Sequence, residues 1–125
     1  MPNAAEAWRV NVARAAENDI EEIQRWTRRR FGRMQAEIYS RTIADAIAAL
    51  VAGPGATGIR VRPDIRAGLY TLRLSHFRPR ARNLVLFRIK DADRHVIAVI
   101  RVLHDAMDSM RHVPPEGDTR NGAHG

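Results

Sequence analysis

The sequence contains no cysteine, which excludes a disulfide framework and thiol chemistry and fits a reducing compartment. Lysine is nearly missing too: among 21 basic residues only Lys90 is one. No apolar run approaches the ~18 residues that a bilayer span needs, so no membrane contact is expected. Met1-Pro2-Asn3-Ala4 has neither the basic start nor the apolar core of a signal peptide, and a cytoplasmic location is expected. Internal repeats are also absent.

What remains is 125 residues, 45% of them hydrophobic, enough for one core and not two. Residues 1–113 are expected to form a single domain and 114–125, which lack periodicity, a disordered tail. The formal charge is +7. Between Arg60 and Arg88 eight arginines face the single acid Asp64, a local balance that equals this whole excess. Arginine binds phosphate and carboxylate in a planar, bidentate way, so a concentrated patch suits an anionic partner or an acidic protein face.

The chain is organised around Val96–His104, a β-branched apolar run that reads as a strand buried on both faces. Asp105 then sits where a short terminal helix can start. Upstream, Trp8–Ala13 alternates with period two, as an edge strand does. Glu17, Asp19, Glu21 and Glu22 suit the positive end of a first helix, which carries the stripe Ala16, Ile20, Ile23, Thr27, Phe31. Trp26 falls roughly 60° off that stripe at about 100° per residue. Gly32 ends the helix in a left-handed position. A second helix, about Arg33–Ala52, bears Tyr39, Ile43, Ala46, Ile47 and Leu50 on one face, and the two should form an antiparallel hairpin. After the loop Gly53–Gly58, three short-connected strands are expected: Leu69–Ser75, Leu84–Ile89 and Val96–His104. The order is β-αα-βββ-α: an α+β fold with a helical hairpin packed on a small curled, mainly antiparallel sheet and a short C-terminal helix.

Several residues then carry two readings. His104, Asp108 and His112 share a helical spacing that could ligate zinc, but three side chains spread over two turns do not all reach one ion, so no metal is expected. His104 with Arg101 and Arg73 could form an acid–base and phosphate-clamping set, or His104 could pack at a strand–helix junction. Arg78, Arg80 and Arg82 beside Phe77 are either a contact surface for phosphates or a solvated hairpin tip. Arg25, Arg28, Arg29, Arg30 and Arg33 form a second basic cluster, either a solvated face or a dock for an acidic segment. Trp26 and Tyr39 are either core rings or anchors for a partner helix.

The stretch Asp19–Thr27 through Phe31-Gly32 resembles the first helix of ParE-type toxins. Arg62–Leu69, Leu84–Arg88 and above all Arg101-Val102-Leu103-His104-Asp105-Ala106-Met107-Asp108 extend the resemblance to about residues 8–113. Membership in the RelE/ParE superfamily implies the toxin half of a bacterial type II toxin–antitoxin pair, forming a hetero-oligomer with a small cognate antitoxin. ParE-type members are associated with poisoning DNA gyrase, and RelE-type members with cutting messenger RNA on the ribosome. RelE-type nucleases commonly carry a tyrosine in the terminal helix, where this chain has Met107, Ser109, Met110, Arg111 and His112. The resemblance therefore implies a growth inhibitor that binds gyrase, without catalytic residues or cofactor and touching DNA only through gyrase or the antitoxin. The alternative is a ribosome-dependent endoribonuclease using His104, Arg101 and Arg73. Target contacts are expected at Arg78, Arg80, Arg82, Asp108 and Arg111, and antitoxin contacts at Trp26, Phe31, Tyr39, Arg29 and Arg30. An exposed antitoxin groove would make the lone toxin aggregation-prone.

Overall fold

Gly32 decides the layout of the first half. In the computed structural model, which describes residues 7–104, it has φ +93° and ψ 171°, a region essentially reserved for glycine. It caps α1 (Arg14–Phe31) and starts α2 (Arg33–Ala49), so the chain reverses in one residue. The helices form the expected hairpin, α2 closing with a 3₁₀ turn at Leu50–Ala52.

The sheet contains β1 (Arg9–Val12), β2 (Ile59–Val61), β3 (Leu69–Arg73), β4 (Asn83–Asp91) and β5 (Val96–His104) in the order β1-β5-β4-β3-β2. All neighbours are antiparallel except β1 and β5, which run parallel from Arg9↔Val96 to Val12↔Val99. Two expectations are corrected. Ile59–Val61, where no strand was expected, is a strand: it pairs with Leu72–Tyr70, and three residues are too few to show a period. The central strand is β4, whose residues Asn83–Phe87 are all buried, and not β5. In β5 the buried positions Ile97, Val99, Val102 and Leu103 are interspersed with half-buried ones, so the strand is not buried on both faces as expected.

The hairpin lies on one face of the sheet. Ala16, Ile43, Ala46 and Leu50 from the helices meet Leu72, Leu74, Val85, Phe87, Ile97, Val99 and Val102. Phe31, expected on the buried α1 stripe, is the last residue of the helix and is 58% exposed. The opposite face carries a second apolar layer, Leu69, Leu84, Leu86 and Leu103, with Ile65 and Ile100 against it. Thr71, a polar residue opposite Leu86 on this face, is buried by that layer. The terminal helix expected after His104 lies outside the described residues, as do the expected tail, Asp108, Arg111 and His112.

One corner is locked by Trp8. Its ring stacks on His95 at 4.6 Å and lies so close to Gly53 that a β-carbon there would meet the indole nitrogen at 2.7 Å. Its amide donates to the Val51 carbonyl at 2.9 Å, so the start of β1, the end of α2 and the β4–β5 turn share one anchor.

Candidate functional site: two interaction surfaces

Among the acids expected to serve the start of α1, only Glu17 lies in its first turn. Asp19 has a different role. Its carboxylate accepts from Arg101 Nε at 2.7 Å, from Arg101 Nη2 at 2.9 Å and from the Val102 amide at 2.9 Å. The hydrogen bonds it donates to this carboxylate, and then the carboxylate's charge, push the Arg101 guanidinium above its ordinary pKa against a desolvation penalty. Arg101 is thus held to α1 through Nε and Nη2. It sits beside a bulge, with Leu86 opposite Arg101, Phe87 opposite Val99, and Ile100 left over between them.

The site follows from how β1 ends. The last β1 contact with β5 is the Ala13 amide donating to the Val99 carbonyl at 2.9 Å, and β5 continues to His104. Beyond that point Asp19 takes the Val102 N–H that another strand would take. At about 100° per residue, Asp19, Trp26 and Arg30 lie on one flank of α1 within about 40° of each other. Trp26 is 52% exposed, has Arg30 over its ring at 5.7 Å and Phe31 edge-on at 5.8 Å. Met34, on the first turn of α2, is 73% exposed. Arg29 is exposed as well, and Arg28, Arg29 and Arg30 all stand in the last turn of α1, where cations favour the helix terminus. On the other flank, a cleft of about 590 Å³ between α1 and α2 is lined by Arg28, Arg33, Arg41 and Glu37 over Ala36 and Ala44.

The second surface is the arginine-rich connection. Arg78-Pro79-Arg80-Ala81 is a turn closed by the Ala81 amide on the Arg78 carbonyl at 2.9 Å, with proline at the position whose φ it pre-sets. Ala81 is 3% exposed and enters the core. The next amide, Arg82 N–H, donates to the Tyr39 hydroxyl at 3.1 Å, which in turn donates to Asn83 Oδ1 at 2.7 Å. Tyr39, expected among the partner anchors, is half-buried with its hydroxyl engaged in pinning this loop. The side chains of Arg78, Arg80 and Arg82 are exposed around that fixed base.

Arg73, Arg101 and His104 do not converge. Leu72 and Val102 face the helices, while Leu103 belongs to the opposite layer. Alternation along the strands therefore puts Arg73 on the face away from the hairpin and His104 on the face toward it. Among the described residues no group of three or more His, Cys, Asp or Glu side chains could hold a metal ion. No helix among them is long and apolar enough to cross a membrane. Sequence reasoning missed Asp19 as a contact of β5, because its partner lies 82 positions away.

With this geometry in place, the chain can be compared with known proteins. No curated protein sequence matches it. Among solved structures it is similar to one described as the chromosomal ParDE TA system from P. aeruginosa, with 24% identity over 79% of this chain and 97% of that chain and a TM-score of 0.63. It is also similar to the toxin–antitoxin complex RelBE2 from Mycobacterium tuberculosis (19% identity, 78% and 98% covered, TM-score 0.49). A mutant of the E. coli toxin RelE in the free state shows 13% identity, with 83% and 90% covered and a TM-score of 0.48. A family model described as the ParE toxin of the type II toxin–antitoxin system parDE matches residues 10–109, which take in both helices and every strand except Arg9 at the start of β1, and the chain belongs to that family.

Proposed function

We propose that this ParE-family toxin arrests growth by binding, with DNA gyrase as its target, and is held inactive by a cognate antitoxin. The observation that carries the reading is the unfinished edge of β5 beside the exposed Trp26 flank of α1. A partner segment with an amphipathic helix can lay apolar residues on Trp26, Phe31 and Met34. Its acids can meet Arg29 and Arg30, and an extended stretch can align with the second half of β5. No such surface is needed by an isolated chain, and contiguous exposed rings mark interaction sites.

The endoribonuclease reading requires Arg73, Arg101 and His104 at one reacting phosphate. Arg101 is held by Asp19, and Arg73 and His104 lie on opposite faces, which favours the binding reading. Residues 1–113 are proposed as the working domain.

Induction in a host lacking the antitoxin is the test. Gyrase poisoning gives an SOS response, filamentation and plasmid cleavage with intact messenger RNA, all suppressed by co-expressing the antitoxin. Codon-phased cuts in ribosome-bound messages, abolished by replacing His104 or Arg101, would overturn it.

A further inference from the structure

The two basic surfaces differ in a way that assigns them different partners. Around the hairpin end, arginines are mixed with the exposed Trp26, Phe31 and Met34, so binding there can draw on apolar burial. The connection after β3 offers Arg78, Arg80 and Arg82 with little apolar surface. Its one large apolar side chain, Phe77, is 37% exposed and edge-on to His76 at 5.1 Å, and His76 lies against Gly58. None of the three guanidinium groups meets a carboxylate among the described residues. The backbone that carries these three arginines is fixed by a proline turn, a buried alanine and a tyrosine hydroxyl, so the loop is ordered before any partner arrives.

We infer that this loop is a phosphate-binding site for the backbone of double-stranded DNA. A surface with charge and almost no apolar anchor gains affinity from released counterions, the main source of affinity for a nucleic-acid backbone. An acidic peptide dock would instead be expected to present aromatic or aliphatic anchors at its centre, as the hairpin end does. Single-stranded nucleic acid is disfavoured because it gains affinity from a series of aromatic platforms, and this loop carries one large ring, Phe77, only 37% exposed. The loop joins β3 to β4, on the far side of β5 from β1, and meets β5 only at its end, where Asn83 pairs with His104, at the limit of the edge assigned to the antitoxin. The inference stands independently of that assignment: contact with DNA is direct, whichever protein is the target.

The test uses the full chain made by cell-free synthesis and a labelled duplex of random sequence, ~30 base pairs long, titrated between about 50 and 200 mM salt. Each lost phosphate contact flattens the dependence of log K on log salt by about 0.9, so R78A/R80A/R82A should flatten it by about 2 to 3. The charge-matched variant R9A/R14A/R94A, from exposed positions on β1, α1 and the β4–β5 turn, should change it by less than about 1. If the alanine triple fails to fold by circular dichroism, R78Q/R80Q/R82Q is measured in its place. Equal losses in the loop and control variants would show net charge alone and overturn the site, as would absence of binding at the lowest salt. Displacement of the duplex by polyglutamate at equal charge would show an acidic-protein face and overturn it as well.

Discussion

Asp19→Ala is the substitution with the most to say about how this toxin is built. It removes the acceptor of two charge-assisted hydrogen bonds from Arg101 and of one from the Val102 amide. The Asp19 and Arg101 side chains are 14% and 33% exposed, so water can replace only part of what is lost. Orphaning the Val102 N–H costs about 1–2 kcal/mol and leaving a part-buried guanidinium unpaired about 1–3, less than the penalty for a fully buried pair. A loss of about 3 kcal/mol follows, or about 10–20 °C in Tm for a domain of this size. Chemical denaturation of the single variants and of the double variant Asp19→Ala/Arg101→Met is the assay. The double variant should recover about 1–2 kcal/mol relative to the sum of the singles, because the orphaned charge is gone. A loss below about 1 kcal/mol for Asp19→Ala, or strict additivity in the cycle, would refute the coupling of α1 to β5 described above.

Other outcomes follow from single contacts. Gly53→Ala must accommodate φ +97° and a β-carbon 2.7 Å from the Trp8 indole nitrogen, and should lose about 2 kcal/mol or more in denaturant unfolding. Tyr39→Phe keeps the ring but takes the hydroxyl from Asn83 and the Arg82 amide; a loss of about 1–2 kcal/mol is expected, with faster hydrogen exchange at Arg82. Trp26→Ala and Phe31→Ala should leave Tm nearly unchanged yet weaken antitoxin binding at least tenfold in calorimetry, and reduce aggregation of the lone toxin. Arg62 holds the Asp64 carboxyl below the usual carboxylate range, mainly by hydrogen bonding. A depressed pKa adds stability that is complete above the unfolded value of about 3.9 and fades as pH falls through the folded one. With Asp64 63% exposed, Asp64→Asn should lower Tm only slightly at neutral pH, and that difference should vanish as the pH falls through the folded pKa.

Much of the fold was legible because periodicity survives in a short chain. The two apolar stripes placed the hairpin, Gly32 its reversal, and Leu84–Arg88 and Val96–His104 their strands. What was not legible depends on long-range pairing. Ile59–Val61 is a strand only because β3 is beside it. The centrality of β4 depends on β1 returning parallel to β5, which no local pattern encodes. For the candidate site, Trp26 on its helix boundary was readable from angle alone. Tyr39 was not, since its hydroxyl meets residues 43 and 44 positions away.

The shortness of β1 links these observations. Had β1 continued beside β5 past Val12, the Val102 amide would be satisfied by a strand and Asp19 would have no acceptor role there. Instead β1 turns into α1 within two residues, carrying a carboxylate to the vacated position. A carboxylate caps one amide, whereas a strand covers a whole edge, so β5 is stabilised without being closed. The cap also ties down the helix flank that bears Trp26. Capping and exposure thus arise from the same chain turn: among the described residues, the segment that secures the fold leaves uncovered the edge and the ring at which we propose that the antitoxin docks.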